Sequence, residues 1–207
     1  MGSVRRFAAL TLDNLDDIGL PCRSCVFWEL DDVAGPRAVE AGDARLEKEA
    51  WVSAVLLEWG SCGTVAYLED TPMGYITYAP AEFVPRSGSF PTSPISGDAV
   101  ELVTARVLPD LRGQGLGRAM VHTAARNLGS RGIKAIEAFG DARNDVPSCL
   151  LPAEFLRAVG FETIRPHRAW PRLRLELRTV VNLTEEVEVA VDRIMDLVRP
   201  EPAFRPV

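Results

Sequence analysis

Hydrophobic and polar positions change their period along the chain, and these changes predict an alternating series of strands and helices. Residues 5–12 have the composition of a first strand. Residues 63–69 and 73–79 are two further β-rich segments, separated by a turn-forming Asp-Thr-Pro at 70–72. We therefore expect them to form an antiparallel hairpin.

A helix is predicted between the first strand and the hairpin. Asp43 is placed to cap it, and Gly60 is placed to end it. Its apolar positions recur at helical spacing, so we expect one face to lie against the core, and this face contains Leu46, Ala50, Ala54 and Leu57.

The second half of the chain contains the clearest strand, at 99–108. A glycine-rich loop, an amphipathic helix at 115–128 and a strand at 133–139 follow it. This order is a βαβ crossover, which implies a parallel pair of strands. A short helix and two closing strands complete the pattern, at 150–159, 161–164 and 173–178.

Two segments differ from this alternation. Residues 80–98, the Pro/Ser segment, contain four prolines and four serines without a period of their own, and long loops of this kind often cover functional sites. Near the end of the chain, Thr184 can cap a helix with one apolar face. We therefore divide the chain into a domain at 1–180 and a helical extension at 181–207, which packs on the domain or forms a homodimer interface.

Composition restricts the partners. The 207 residues are 47% hydrophobic and 25% charged, which suits one globular core. The net charge of −6 disfavours binding to nucleic acid or anionic membranes and favours a cationic small molecule or peptide. No apolar run approaches the roughly 18 residues of a membrane span and no signal peptide is visible, so we expect a cytoplasmic protein. All basic residues except Lys48 and Lys134 are arginine, which is typical of GC-rich bacterial genomes.

The segment Arg112-Gly-Gln-Gly-Leu-Gly-Arg118 has the most informative chemistry. Glycines between a strand and a helix let backbone N–H groups approach an anion, and the helix N-terminus adds partial positive charge, so phosphate or pyrophosphate is the expected ligand. The segment lacks the lysine of a P-loop and the G-x-G-x-x-G spacing of a dinucleotide-binding fold. Glycines at a helix start can also be purely structural.

In this context the sequence resembles the GNAT (Gcn5-related) N-acetyltransferases. Arg112-x-x-Gly115-x-Gly117 follows a strand that ends in Val-x-Pro, and it looks like the acetyl-CoA loop of that superfamily. The order of predicted elements agrees from about residue 5 to residue 178, and Gly160-Phe161 matches the Gly-Phe pair that commonly follows the last helix. The resemblance implies an α/β fold, the GNAT acyl-CoA N-acyltransferase fold, in which helices flank a mixed central sheet with splayed parallel strands.

The resemblance also implies acetyl-CoA as the co-substrate and direct transfer of its acetyl group to a primary amine on a small molecule or a peptide. The glycine-rich segment would hold the pyrophosphate through Arg112, Gly113, Gln114, Gly115, Leu116, Gly117 and Arg118. The strand before it would pair with the pantetheine arm and polarise the acetyl carbonyl through Ala105, Arg106 and Val107.

Glu101 is the general base that the resemblance implies. It lies eleven residues before Arg112, which is the separation of the catalytic glutamate from the loop in histone-type members. A part-buried glutamate on a central strand can have its pKa raised toward neutrality, as a base at pH 7 requires. Alternatively, Glu101 pairs with an arginine such as Arg106 or Arg143.

The family pattern is broken at the general acid. Many members place a tyrosine four residues before the Gly-Phe pair, where this chain has Leu156, and an asparagine where it has Cys149. Ser148 and Cys149 are the nearest groups able to hydrogen-bond the CoA sulfur, and more distant candidates are Tyr67, Tyr75 and Tyr78. Cys149 is alternatively a buried structural thiol. The missing tyrosine leaves a second function open, that of a non-catalytic acyl-CoA-binding or regulatory GNAT-like protein.

Cys22-x-x-Cys25 raises the question of a metal or redox site. A structural zinc needs four ligands, and the remaining cysteines and histidines are not at ligand spacing. A thioredoxin-like pair would lie at the junction of a strand and a helix, whereas this pair lies in a predicted loop. We therefore expect free thiols and no metal site.

Overall fold

The computed structural model of this protein describes residues 5–19, 21–143 and 149–178. Within them the chain forms eight strands and four α-helices. In chain order these are β1 (Arg5–Ala9), α1 (Ala34–Ala41), α2 (Ala44–Glu58), β2 (Gly63–Leu68), β3 (Thr71–Ala79), β4 (Ala99–Val107), α3 (Leu116–Ser130), β5 (Ala135–Asp141), β6 (Leu151–Pro152), α4 (Ala153–Ala158), β7 (Glu162–Arg165) and β8 (Arg172–Glu176).

The strands form one mixed sheet in the order β1-β2-β3-β4-β5-β8-β7, and the short β6 pairs with β5. The predicted hairpin is β2–β3, which is antiparallel. The predicted crossover runs from β4 through α3 to β5, and these two strands are parallel. Helices pack on both faces of the sheet, so the predicted α/β class with a mixed central sheet is confirmed.

The parallel strands β4 and β5 pair over a short distance and then separate. Their register joins Ala99–Glu101 to residues 135–137, whereas the end of β5 pairs with β6 at Gly140 and Leu151. A shift in the β3–β4 register adds Val103 as an extra residue on β4. Such a bulge bends a strand. The second half of β4 therefore has β3 on one side and, within the described residues, no strand on the other. We call this opening the gap.

Two hydrophobic clusters cover the two faces of the sheet. One lies beneath α3 and α4 and includes Met120, Ala124 and Leu128 of the predicted amphipathic helix, which is confirmed. The other lies beneath α2 and the segment before α1. The gap lies between these layers, so a ligand there would contact both.

The predicted inward face of α2 is wrong. Leu46 and Leu57 are 64% and 86% exposed, and Ala50 is also exposed. The buried positions are instead Ala44, Lys48, Trp51, Val52 and Val55. A lysine in the buried stripe hides that stripe from a hydrophobicity pattern, and Lys48 is buried because its ammonium pairs with the buried carboxylate of Glu29.

Other differences are local. Helix α1 was not predicted, because Gly35 and Pro36 interrupt its pattern. The helix expected at 150–159 is shorter, since β6 occupies its first residues. The extension at 181–207 and its helix from Thr184 lie outside the described residues. Among the helices that the structure describes, none has the length and apolar character needed to cross a membrane.

Candidate active site

The glycine loop (112–117) connects β4 to α3 through a short helical turn at Pro109–Leu111. Gly113 and Gly115 have φ of 76° and 80°, a left-handed conformation that other residues rarely adopt, and Gly115 caps α3. The first intrahelical bond of α3 runs from the N–H of Ala119 to Gly115, so the three preceding N–H groups have no helical partner. This geometry suits an anion such as a phosphate.

Polar side chains in the loop and in the first turn of α3 hydrogen-bond to backbone carbonyls of the protein. Arg118 donates to the carbonyl of Ala158, and Gln114 donates to the carbonyl of Asp110 at 3.2 Å. Gly117 has a packing role, because a β-carbon there would lie 3.0 Å from the ring of Phe155 on α4. The loop therefore offers backbone N–H groups first, and the exposed arginines supply positive charge around them.

Ala105, Arg106 and Val107 lie on the part of β4 that borders the gap. The side chains of Ala105 and Val107 pack toward the cluster beneath α3, whereas Arg106 faces the opposite side of the sheet. Alternate backbone groups of a strand point to each side, so this edge can hydrogen-bond an extended ligand lying in the gap. Gly74 of β3 permits the close strand pairing here, because a β-carbon would lie 2.5 Å from the carbonyl oxygen of Arg106.

A cleft with about 370 Å³ of open space lies on the sheet face opposite α3. Its lining comes from five parts of the chain: the segment before α1, α2, β3, β4 and Cys149, which lies two residues before β6. The lining residues are Ile18, Cys22, Cys25, Trp28, Glu29, Lys48, Tyr75, Thr77, Thr104, Arg106 and Cys149. The cleft therefore brings together two of the predicted site residues, Arg106 and Cys149.

Glu101 does not line this cleft. It is 0% exposed on β4, in register with Glu137 on β5. Burial raises the pKa of Glu101 to about 8, against the hydrogen bond donated by Ser87, and the charge of Glu137 adds to the rise. The other oxygen, Oε1, is buried without a hydrogen-bond partner within the described residues.

The two neighbouring glutamates have opposite pKa shifts. Burial opposes the ionisation of Glu137, but hydrogen bonds from Ser96 and Arg174 together with the charge of Arg172 lower its pKa. Arg143, one of the arginines considered as a partner of Glu101, pairs with Asp141 at 3.1 Å. A carboxyl group that is protonated near neutrality therefore lies beside one that is ionised.

The Pro/Ser segment closes over Glu101 and contributes no lining residue to the cleft. Ser87 contacts the carboxylate, and Phe90 stacks on Trp28 and Phe139 with ring centroids 5.3 and 4.6 Å apart. Trp28 also lines the cleft, so this aromatic stack connects the Pro/Ser segment to the cleft wall.

Cys149 lies opposite Cys25 in the cleft, with the two sulfur atoms 3.5 Å apart. The hydrogen bond between them lowers the pKa of Cys25 and raises the pKa of Cys149. Trp28 donates to the backbone carbonyl of Cys149 at 3.0 Å. The four cysteines are free, and the described residues contain no cluster of three or more metal-ligating side chains. Ser148 lies outside the described residues.

The position at which many family members have a tyrosine acid is occupied here by Leu156, a residue of the hydrophobic core. Leu156 is fully buried beneath α3 and cannot reach the cleft. Of the hairpin tyrosines, Tyr75 lines the cleft and burial raises its pKa, whereas Tyr67 bonds Asp17 and Tyr78 bonds Ser61. Sequence reasoning did not identify the remaining lining residues.

Comparisons with known proteins agree with this arrangement. The model of the Acetyltransferase (GNAT) family matches residues 26–154, more than half of the chain. No curated protein sequence matches significantly.

Solved structures share the fold at low identity. The PaiA N-acetyltransferase of Thermoplasma acidophilum, in complex with coenzyme A, has a TM-score of 0.56 at 12% identity, covering 84% of this chain and 99% of its own. An N-acetyltransferase of Staphylococcus aureus Mu50 has 0.53 at 16%, covering 84% and 99%. YhbS of Escherichia coli, also in complex with CoA, has 0.50 at 17%, covering 86% and 83%. With its family match, glycine loop and splayed parallel strands, this chain belongs to the GNAT acetyltransferase family.

Proposed function

We propose that this protein transfers the acetyl group of acetyl-CoA directly to a primary amine. The observation that carries the proposal is the separation of β4 from β5 beyond Glu101, which opens the gap between the glycine loop and the cleft within the described residues. The solved structures of similar fold that are bound to CoA support the choice of donor. Acetyl-CoA supplies the chemistry, an acetyl group activated as a thioester.

The residues around the gap fit such a donor. The backbone N–H groups of residues 113–118 hold the pyrophosphate, and the edge of β4 along the gap, at 105–107, pairs with the pantetheine arm. A backbone N–H on this edge can also polarise the acetyl carbonyl, which stabilises the negative charge that develops on its oxygen. Thr104 and Arg106 of the same strand line the cleft. An amine bound in the cleft would therefore approach the thioester from this side of the sheet.

Glu101 is the proposed proton acceptor. With a pKa near 8 Glu101 is a strong base once ionised, so the proposed role requires turnover to rise as the pH approaches 8, and Oε1 has no hydrogen-bond partner within the described residues. Because Glu101 does not line the cleft, a water or another side chain has to carry the proton from the amine to it.

Cys149 is the proposed proton donor to the departing CoA sulfur. Its raised pKa keeps the thiol protonated at neutral pH, and its position in the cleft wall faces Thr104 and Arg106 across the gap. Tyr75 is a second protonated group in the same lining. The acidic net charge of the chain favours a cationic acceptor.

The proposal is tested by following the release of CoA from acetyl-CoA in the presence of polyamines, aminoglycosides, lysine and peptide N-termini. We expect release that depends on the amine. Glu101→Gln is expected to lower turnover at neutral pH by roughly 10²- to 10⁴-fold with unchanged acetyl-CoA affinity. Glu82→Gln, which alters an exposed glutamate of the Pro/Ser segment, is the matched control.

The second function, a non-catalytic acyl-CoA-binding protein, is favoured by one observation, the buried leucine in the usual tyrosine position. Tight binding of acetyl-CoA without turnover on any amine would establish it and contradict the proposed transfer.

A further inference from the structure

Cys25 and Cys149 are 124 positions apart in the chain, yet their sulfur atoms are 3.5 Å apart in the cleft. Both are partly exposed there. A hydrogen bond from Trp28 to the carbonyl of Cys149 also links the chain segments that contain the two cysteines. Acetyl transfer requires no thiol at Cys25, so this contact is unexplained by the proposed function.

The surroundings of Cys25 favour its thiolate. The sulfur contact with Cys149 and the hydrogen bond from the backbone N–H of Phe27 lower the pKa of Cys25, and the ammonium of Lys48 adds positive charge, while burial and Glu29 oppose ionisation. Thiolates, not thiols, react with peroxides, so Cys25 is the more reactive partner.

We propose that Cys25 and Cys149 are a peroxide-reactive thiol pair, in which a hydroperoxide oxidises Cys25 and Cys149 then closes a disulfide across the cleft. The site therefore takes a second class of substrate, a small hydroperoxide such as hydrogen peroxide.

The step balances as follows. The Cys25 thiolate attacks one oxygen of hydrogen peroxide, a sulfur–oxygen bond forms, the oxygen–oxygen bond breaks and hydroxide leaves. The sulfur of Cys149 then attacks the Cys25 sulfenic acid, the sulfur–oxygen bond breaks, and the departing hydroxide takes the Cys149 proton. The proton that Cys25 released on ionisation neutralises the first hydroxide. Overall, two thiols lose two electrons and form a disulfide, and the peroxide is reduced to two waters.

The other two cysteines are poor alternatives. Cys62 is fully buried, its thiol donates to the carbonyl of Leu10, and burial raises its pKa to about 12. Cys22 also lines the cleft, but its thiol forms a hydrogen bond with Tyr75 instead of a contact with a second cysteine. Closing the bond between Cys25 and Cys149 requires their sulfur atoms to approach by about 1.5 Å, since a disulfide is about 2.05 Å long.

The disulfide has a consequence for the active site. It joins the segment before α1 to Cys149, two residues before β6, and removes the proton that Cys149 offers to the CoA sulfur. This consequence rests on the proposed function, whereas the thiol chemistry does not. The oxidised protein is expected to lose at least about 90% of acetyl transfer and to regain it with dithiothreitol.

The test exposes the full chain to hydrogen peroxide and measures intact mass, peptide linkage and acetyl transfer separately. We expect one disulfide, which links the peptides of Cys25 and Cys149, in the wild type and in Cys22→Ser and Cys62→Ser. Cys149→Ser should instead accumulate a sulfenic acid at Cys25 that dimedone traps. Cys25→Ser should slow thiol loss by at least about tenfold.

Two results would overturn the proposal: a peptide map of the wild type that links any other cysteines, or a Cys25 that reacts no faster than Cys62. A disulfide that forms without altering transfer would overturn only the proposed control of activity. Absence of transfer even in the reduced protein would count against the proposed function and leave the thiol pair intact.

Discussion

The proposed donor side and the proposed acceptor side of the gap are built differently. The proposed donor side is local: β4, the glycine loop and α3 follow one another in about thirty residues. The proposed acceptor side is assembled from the segment before α1, α2, strands β3 and β4, and Cys149. Its chemistry depends on contacts between residues far apart in the chain, such as Lys48 with Glu29 and Cys25 with Cys149.

This difference determines which substitutions each side tolerates. Backbone N–H groups bind a phosphate whatever the neighbouring side chains are, so the donor side needs glycines at few positions. The acceptor side binds through side chains, so each substitution there changes its charge or shape. The predictions below test this contrast, beginning with the largest expected effect.

The buried pair in the cleft is the first test. Lys48→Met leaves the carboxylate of Glu29 buried without its partner, and we expect a loss of about 3–5 kcal/mol in the free energy of unfolding, measured in urea. The double variant with Glu29→Gln removes both charges and should recover most of that loss. Equal destabilisation in both variants would show that the loss does not come from the unpaired charge of Glu29.

The titration of Glu101 is the second test. Because burial raises its pKa from the ordinary 4.5 to about 8, the native state keeps a proton that the unfolded chain releases. Its stabilising contribution is complete below pH 4.5 and is lost as the pH rises toward 8. Glu101→Gln does not titrate, so we expect it to gain on the order of a few kcal/mol over the wild type between pH 5 and pH 8 in chemical denaturation. Parallel pH curves would contradict a raised pKa.

The glycine loop is the third test. Gly115→Ala forces a β-carbon into a left-handed conformation at about 1–2 kcal/mol, and we expect roughly 5- to 30-fold weaker acetyl-CoA binding by calorimetry as the N–H groups shift. Gly132→Ala imposes a similar conformation at the other end of α3, where the β-carbon also meets nothing. It should lose comparable stability and keep its affinity for acetyl-CoA. Equal weakening in both variants would remove the loop from donor binding.

The exposed face of α2 is the fourth and smallest test. Leu57→Ser should change the free energy of unfolding by less than about 0.5 kcal/mol, because the side chain is exposed. Val52→Ala, on the buried face of the same helix, should cost about 1–3 kcal/mol. Reversed magnitudes would restore the face that hydrophobic spacing predicts.

The sequence predicts the secondary structure of the proposed donor side well because its signals are local. The strand, the glycines and the spacing of Met120, Ala124 and Leu128 lie in one continuous stretch. The hairpin is predicted for the same reason.

The acceptor side is predicted poorly because its determinants are tertiary. Lys48 looks like a surface residue until Glu29 is placed beside it. Glu101 was identified by its spacing to Arg112, but its cover by Ser87 depends on the path of the Pro/Ser segment. The partner of Cys25 is Cys149 rather than the neighbouring Cys22, which no local spacing indicates.

The most direct test of the donor and acceptor assignment is a crystal structure with acetyl-CoA bound. We expect the pyrophosphate at the backbone N–H groups of residues 113–118, the pantetheine arm along the edge of β4 that borders the gap, and the acetyl group facing the cleft between Thr104 and Cys149. Acetyl-CoA bound outside the gap, or an acetyl group directed away from the cleft, would contradict this account.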